Sequence, residues 1–144
     1  MSPGLREHFA DYGSFHATPG NRLCHSIGIP LIYFSSIALL AHVTLLRQDD
    51  FVLTLAEPVF LAITLYYLRL NLALGAMMLV LTVAMATVGG FIPVPVATGL
   101  FLLGWVLQFV GHYVYEKKSP AFFRNVAHLL VGPLWILAKA TGRD

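Results

Sequence analysis

Two polar motifs stand near opposite ends of a chain whose middle is almost wholly apolar: His16-Ala-Thr-Pro-Gly-Asn21-Arg22-Leu-Cys-His25 and Gln108-Phe-Val-Gly-His112-Tyr-Val-Tyr-Glu116-Lys117. Imidazoles and a carboxylate beside an apolar phase are costly unless they face an ion, a partner or water, so they read first as functional groups. Neutral imidazoles with oxygen donors suit Fe(II), Zn(II) or another mid-row divalent ion, and a set that leaves open positions is the arrangement non-haem iron uses for oxygen chemistry. Cys24 is the one cysteine, which disfavours structural zinc and rules out an internal disulfide or a multi-cysteine cluster within one chain.

The individual groups differ in how far they point to a metal. His16 precedes a Pro19-Gly20 turn, and His25 lies about one turn inside a helix for which Asn21 is the expected N-cap. A loop ligand and a helix ligand can converge on one ion, although two interfacial histidines bonded to headgroups or backbone fit this motif equally well. Gln108, His112 and Glu116 recur at i, i+4 and i+8 on one face of an apolar helix, and such a stripe points into the bundle. Glu116 has three readings: a metal ligand, a group that orients His112, or an exposed partner of Lys117. Ser119-Pro120 has the look of a helix start, and on that helix Arg124, Asn125 and His128 share a face. That face is either an anchor on lipid phosphates or a cover for the mouth of the site, adding His128 as a ligand and Arg124 as a carboxylate clamp. His42 lies 17 residues beyond His25, roughly 25 Å of helix rise, and reads as a hydrogen-bonded bundle residue at the other membrane face. His8 reads as solvated, and Glu57 as paired with an internal donor such as His42, a threonine or backbone.

The elements that must position these groups are membrane helices. The chain has 144 residues, 58% of them hydrophobic and 11% charged, against about a quarter charged in a soluble domain. The expected fold is a single all-α membrane domain over 1–144, with four transmembrane helices at about 27–46, 51–68, 72–92 and 96–115. A C-terminal interfacial or re-entrant helix is expected at about 120–140. Gly89-Gly90 and Pro93/Pro95 divide the long uncharged stretch between the third and fourth spans. Four spans put both termini on one side, which carries Arg6, Arg22, Arg69, Lys117, Lys118, Arg124, Lys139 and Arg143, while Arg47 alone falls on the other. Both termini are therefore expected in the cytosol, of a bacterial inner membrane or an endoplasmic reticulum, with the two polar motifs at one membrane depth. No cleavable signal peptide is expected, and the +2 net charge without aromatic interleaving gives nucleic acid no support. A homo-oligomer is compatible with this reading.

The pattern His16, Asn21-Arg22, His25, Gly28-Ile-Pro30, then Gln108, Gly111-His112, Glu116-Lys117 and Pro120-Ala121 resembles the 2-hydroxy fatty acid dioxygenases, small membrane proteins of fatty-acid α-oxidation. The resemblance runs from about Tyr12 to Lys139. It implies an Fe(II)-dependent enzyme that uses O2, without 2-oxoglutarate, to convert a long-chain 2-hydroxy fatty acid to a fatty acid one carbon shorter. By matched position it implies His16, His25 and His112 as iron ligands; His128 stands where the family commonly has Gln or another residue. His112, Glu116 and Gln108 are then the catalytic group, and Asn21, Arg22, Lys117 and Arg124 the groups that meet the carboxylate of the substrate. The rival readings are a non-catalytic lipid-binding scaffold in the membrane and a metal-dependent lipid hydrolase.

Overall fold

In the computed structural model, which describes residues 3–123 and 125–143, the elements run α1 (Pro3–Ser14), α2 (Pro19–Ala41), β1 (Thr44–Gln48), β2 (Phe51–Thr54), α3 (Ala56–Leu70), α4 (Leu72–Gly89), α5 (Val94–Val110) and α6 (Ala127–Ala140). A π-helical segment, Gly111–Glu116, continues α5, and a 3-10 turn covers Ala121–Phe123. Three helices are long and apolar enough to cross a membrane: α2, α4, and α5 together with its π-helical continuation. Large aliphatic side chains on their outer faces, among them Val80, Val83, Leu102 and Val106, are exposed as a lipid-facing surface requires.

The first span begins earlier than its uncharged run. Thr18 is extended, its side chain accepts the Asn21 N–H, and Pro19 occupies the first helical position, so Thr18 is the N-cap in place of Asn21. Arg22 is accommodated inside the first turn because its Nε donates to the His16 carbonyl at 2.8 Å. The span also ends earlier, at Ala41, because residues 44–54 form an antiparallel hairpin with Gln48 opposite Phe51. Asp49, at φ 49, takes the left-handed conformation the two-residue turn needs. The expected span at 51–68 is corrected accordingly: its first four residues are strand, and α3 has 15 residues, about 22 Å of rise.

Chain direction alternates along α2 to α5. His42 Nε2 meets the Ile92 carbonyl at 2.9 Å at one end of the bundle, while Tyr67 and Leu74 join the core around Leu5, Phe9 and Tyr12 at the other. Glu57 accepts from Thr54 N–H and Oγ1 at 2.8 and 2.5 Å, the threonine and backbone partners among those expected, and His42 is engaged elsewhere. The C-terminal helix starts at Ala127 and passes through Pro133 without a break. It buries His128, Val131, Leu134, Trp135 and Ala138 against the bundle, and the Tyr67 hydroxyl donates to the Leu130 carbonyl at 2.7 Å. A helix half covered by protein is a packed bundle member, and at 14 residues it is shorter than the three spanning helices.

The most extensive helix contact is α2 against α5, and it depends on glycine. A Cβ on Gly104 would meet Ile32 Cγ1 at 2.7 Å and the Gly28 carbonyl at 2.9 Å, so backbone approaches backbone as in small-residue membrane packing. Gly104→Ala is therefore expected to cost about 1–3 kcal/mol by overpacking. Gly99→Ala on the same helix, where a Cβ meets nothing within 4 Å, should leave stability equal or slightly raised. Thermal unfolding of the two variants in detergent checks the contrast.

Candidate active site

Three of the singled-out histidines come together although 87 residues of chain separate His25 from His112. His16 arrives on the turn between α1 and α2, His25 from the second turn of α2, and His112 from the π-helical segment. All three are buried, with relative exposures of 2%, 1% and 2%. One ligand atom from each lies within 4.8 Å of the others.

Backbone carbonyls decide which nitrogen faces the centre. His16 Nδ1–H donates to the Tyr12 carbonyl at 2.6 Å, and His25 Nδ1–H donates to the Asn21 carbonyl at 3.0 Å, each four residues back along the chain. The same local device thus leaves Nε2 as the free lone pair on both rings. The Tyr12 ring stacks on His16 at 4.1 Å and fixes its plane. His25 Nε2 and His112 Nε2 are 3.1 Å apart, and His16 Nε2 is buried without a hydrogen-bond partner. Three buried imidazoles converging with only one contact among their inner nitrogens form a donor set that fits a transition-metal ion.

Glu116 joins the second motif to the first. Its Oε1 accepts the Ala17 N–H at 3.1 Å, and its Oε2 accepts the Thr18 N–H at 3.1 Å, the Thr18 hydroxyl at 2.9 Å and the Asn21 side-chain N–H at 3.1 Å. Both oxygens are thereby committed to the start of α2, and Lys117 is exposed, so the pairing of Glu116 with Lys117 is not what is seen. Over Gly111–Glu116 the helix widens while both His112 and Glu116 stay turned inward, and Lys117 then ends it in the left-handed conformation at φ 55. Gly111 lets this turn seat directly on Asn21 and His25, where a side chain would collide with both.

The other expected groups lie around this centre at different ranges. Gln108, one turn before His112, is buried, and its Nε2 has no partner among the described residues. His128 is buried near the three histidines but outside their group: its Nε2 meets Asp11 Oδ2 at 2.7 Å and its Nδ1 is unpartnered. Asn21 is fully buried, with Nδ2 on the Phe15 carbonyl and on Glu116. Arg22 borders, with Arg6, Lys139 and Trp135, a depression that shares His16 as a wall. Arg124 lies outside the described residues, and His8 is half-buried on α1. Tyr12, Thr18 and Asp11 were not singled out from the sequence. Leu5, Phe9 and Tyr12 recur at i, i+4 and i+7, the signal of a buried helical face, and Thr18-Pro19 is a helix-start pair.

An apolar cavity of about 230 Å³ opens from the histidines into the bundle. His25, Ile29, Ile32, Ser36 and Leu40 line it from α2, and α3, α5 and α6 close the other sides.

Burial lowers the His16 pKa from 6.5 to about 4, with His112 nearby adding to the effect. Between those values the unfolded chain binds a proton on His16 that the folded metal-free chain refuses, so stability falls as pH drops from about 6.5 to about 4. Thermal midpoints of the metal-free protein should decline over that window, and His16→Phe should flatten the decline.

The family model for "2-hydroxy-palmitic acid dioxygenase Mpo1-like" proteins matches residues 3–144. The chain is 34% identical over 134 residues to the 2-hydroxy-palmitic acid dioxygenase MPO1 of Saccharomyces cerevisiae, an alignment covering 92% of this chain and 77% of that protein. No solved structure matches. The histidine pattern at both ends and the match along nearly the whole sequence agree: this chain belongs to the Mpo1-like family.

Proposed function

We propose that this protein is an Fe(II)-dependent dioxygenase that converts long-chain 2-hydroxy fatty acids to fatty acids one carbon shorter. The observation that carries the reading is three buried imidazoles at the polar end of an apolar cavity in a membrane bundle. Family membership and the name of the yeast relative support the same substrate class. His16, His25 and His112 would hold the iron. A divalent iron held by neutral nitrogens supplies the redox centre for O2, which is what separates this reading from hydrolysis. The overall reaction balances with one O2: the 2-hydroxy acid gives the shorter acid, carbon dioxide and water.

The protein's own groups prepare that centre. The carbonyls of Tyr12 and Asn21 turn two imidazoles so that Nε2 faces the centre, burial keeps His16 neutral, and Glu116 holds the α2 start against the π-helical turn. Glu116 and Asn21 are thus positioning residues. Gln108 offers an unspent N–H to the carboxylate or hydroxyl of a substrate whose tail enters the cavity, and His128 offers a further ring nitrogen beside it. Arg22, with Arg6, gives the water-facing side of His16 a positive field that draws the carboxylate towards the site. Lys117 extends that field at the same membrane face. The excess of cations at this face makes it the cytosolic one, with α3 completing a four-helix bundle as a shorter crossing element.

Iron content of detergent-purified protein should be near one per chain, fall at least tenfold in His16→Ala, His25→Ala and His112→Ala, and persist in His128→Ala. Product from 2-hydroxypalmitate should be pentadecanoate and should require air. Pentadecanoate formed under nitrogen would defeat the dioxygenase reading, release of fatty acid from an ester lipid under nitrogen would favour the hydrolase, and absence of stoichiometric metal would leave the scaffold reading. Gln108→Leu should retain iron yet slow turnover about tenfold or more, as expected for loss of one hydrogen bond to a charged group.

A further inference from the structure

The cavity reaches far beyond what the histidines need. Its α2 wall is a stripe, His25, Ile29, Ile32, Ser36 and Leu40, with Tyr33 beside it; the stripe residues are spaced 4, 3, 4 and 4 apart, so the wall runs along the helix axis instead of around it. From His25 to Leu40 the axial rise is about 22 Å, and to Ser36 about 16 Å. A zigzag of carbon–carbon bonds near 1.5 Å advances about 1.3 Å per carbon. The Ser36 level therefore lies about 13 carbons from the histidines, and the Leu40 level about 17. Val59 and Phe60 of α3 lie across the bundle from Leu40 at this far end, where Phe60 packs with Ile37 and Ala56 in a separate core cluster. Beyond Leu40 the helix stops at Ala41, and the hairpin begins.

Among the α2 residues on the cavity Ser36 is the smallest side chain, set between Leu40 and the Ile32–Tyr33 pair, whose tyrosine hydroxyl is held by Thr82 at 2.8 Å. A serine there leaves width that any larger residue would fill, so the cavity continues past it. We propose that this channel is the acyl-tail site and that Ser36, with Leu40 and Val59 at the far end, sets the longest chain it accepts. The proposal rests on the dioxygenase reading for the identity of the head group, and it adds where the tail lies and what measures it. Channel and histidines are continuous: His25 heads the stripe, and Gln108 and His112 line the same cavity. An occupant with one polar end and a straight apolar body of 16 to 20 carbons matches both its chemistry and its length.

The test uses full-length protein in nanodiscs and saturated 2-hydroxy acids from 12 to 24 carbons. Two readouts are taken: thermal stabilisation of the metal-free protein on binding, and product formation by the iron-loaded protein in air. Ser36→Phe should remove the outer 6 Å or so, about four to five carbons, and lower binding of the 20-carbon acid relative to the 14-carbon acid at least tenfold. Leu40→Ala should act oppositely and raise relative binding of the 22-carbon acid. Val83→Phe, the same kind of change on an exposed surface, should leave the profile as in the wild type. Ser36→Leu replaces the phenylalanine variant if that one fails to melt cooperatively. Unchanged profiles in the α2 variants alongside normal product would overturn the channel and leave the dioxygenase reading standing. Shifted binding profiles without product from any acid would uphold the channel and defeat that reading. Binding of no acid at any length would overturn the channel.

Discussion

One carboxylate holds the two ends of this protein together. Glu116 takes two backbone N–H groups, a hydroxyl and an amide from residues 17–21, across nearly a hundred positions of sequence. Those donors are the orphan N–H groups and cap of a helix start, which favour negative charge. With them satisfied by Glu116, the π-helical turn is tied to the start of α2, where Gly111 seats it on Asn21 and His25 and His112 is delivered to His25. Coupled groups of this kind stand or fall together.

Imidazole orientation follows from helix geometry alone. A histidine whose Nδ1 reaches the carbonyl four residues back has its outer nitrogen presented outward from the helix, and α2 and the end of α1 both use that device. The site is therefore assembled from local backbone geometry plus one long-range tie. Desolvation keeps His16 neutral, which is the protonation state a ligand requires.

Much of this was legible beforehand, for stated reasons. The polar stripe Gln108, His112, Glu116 survives the π-helical turn because all three still face inward. The convergence of His16 and His25 with His112 followed from placing both motifs at one membrane depth. The hairpin is not legible, because Thr44–Leu46 and Phe51–Thr54 continue the uncharged runs on either side, and a short apolar stretch reads alike as strand or helix. Helix α1 was missed because its three buried residues are diluted by charges on the other face. The partner of His128, Asp11, belongs to that same unread helix. Glu116 was read as a choice among three roles because sequence spacing does not tell which way a carboxylate turns when the helix under it widens.

His16 is a wall between two solvents. On one side lies the apolar cavity, and on the other the basic depression of Arg6 and Arg22. Apolar and basic surroundings come within one ring's thickness of each other there. Such a partition lets two reactants with opposite solubility arrive from their own phases without either being carried through the other. On the proposed function, a fatty tail would stay in apolar surroundings while its charged head met the basic side.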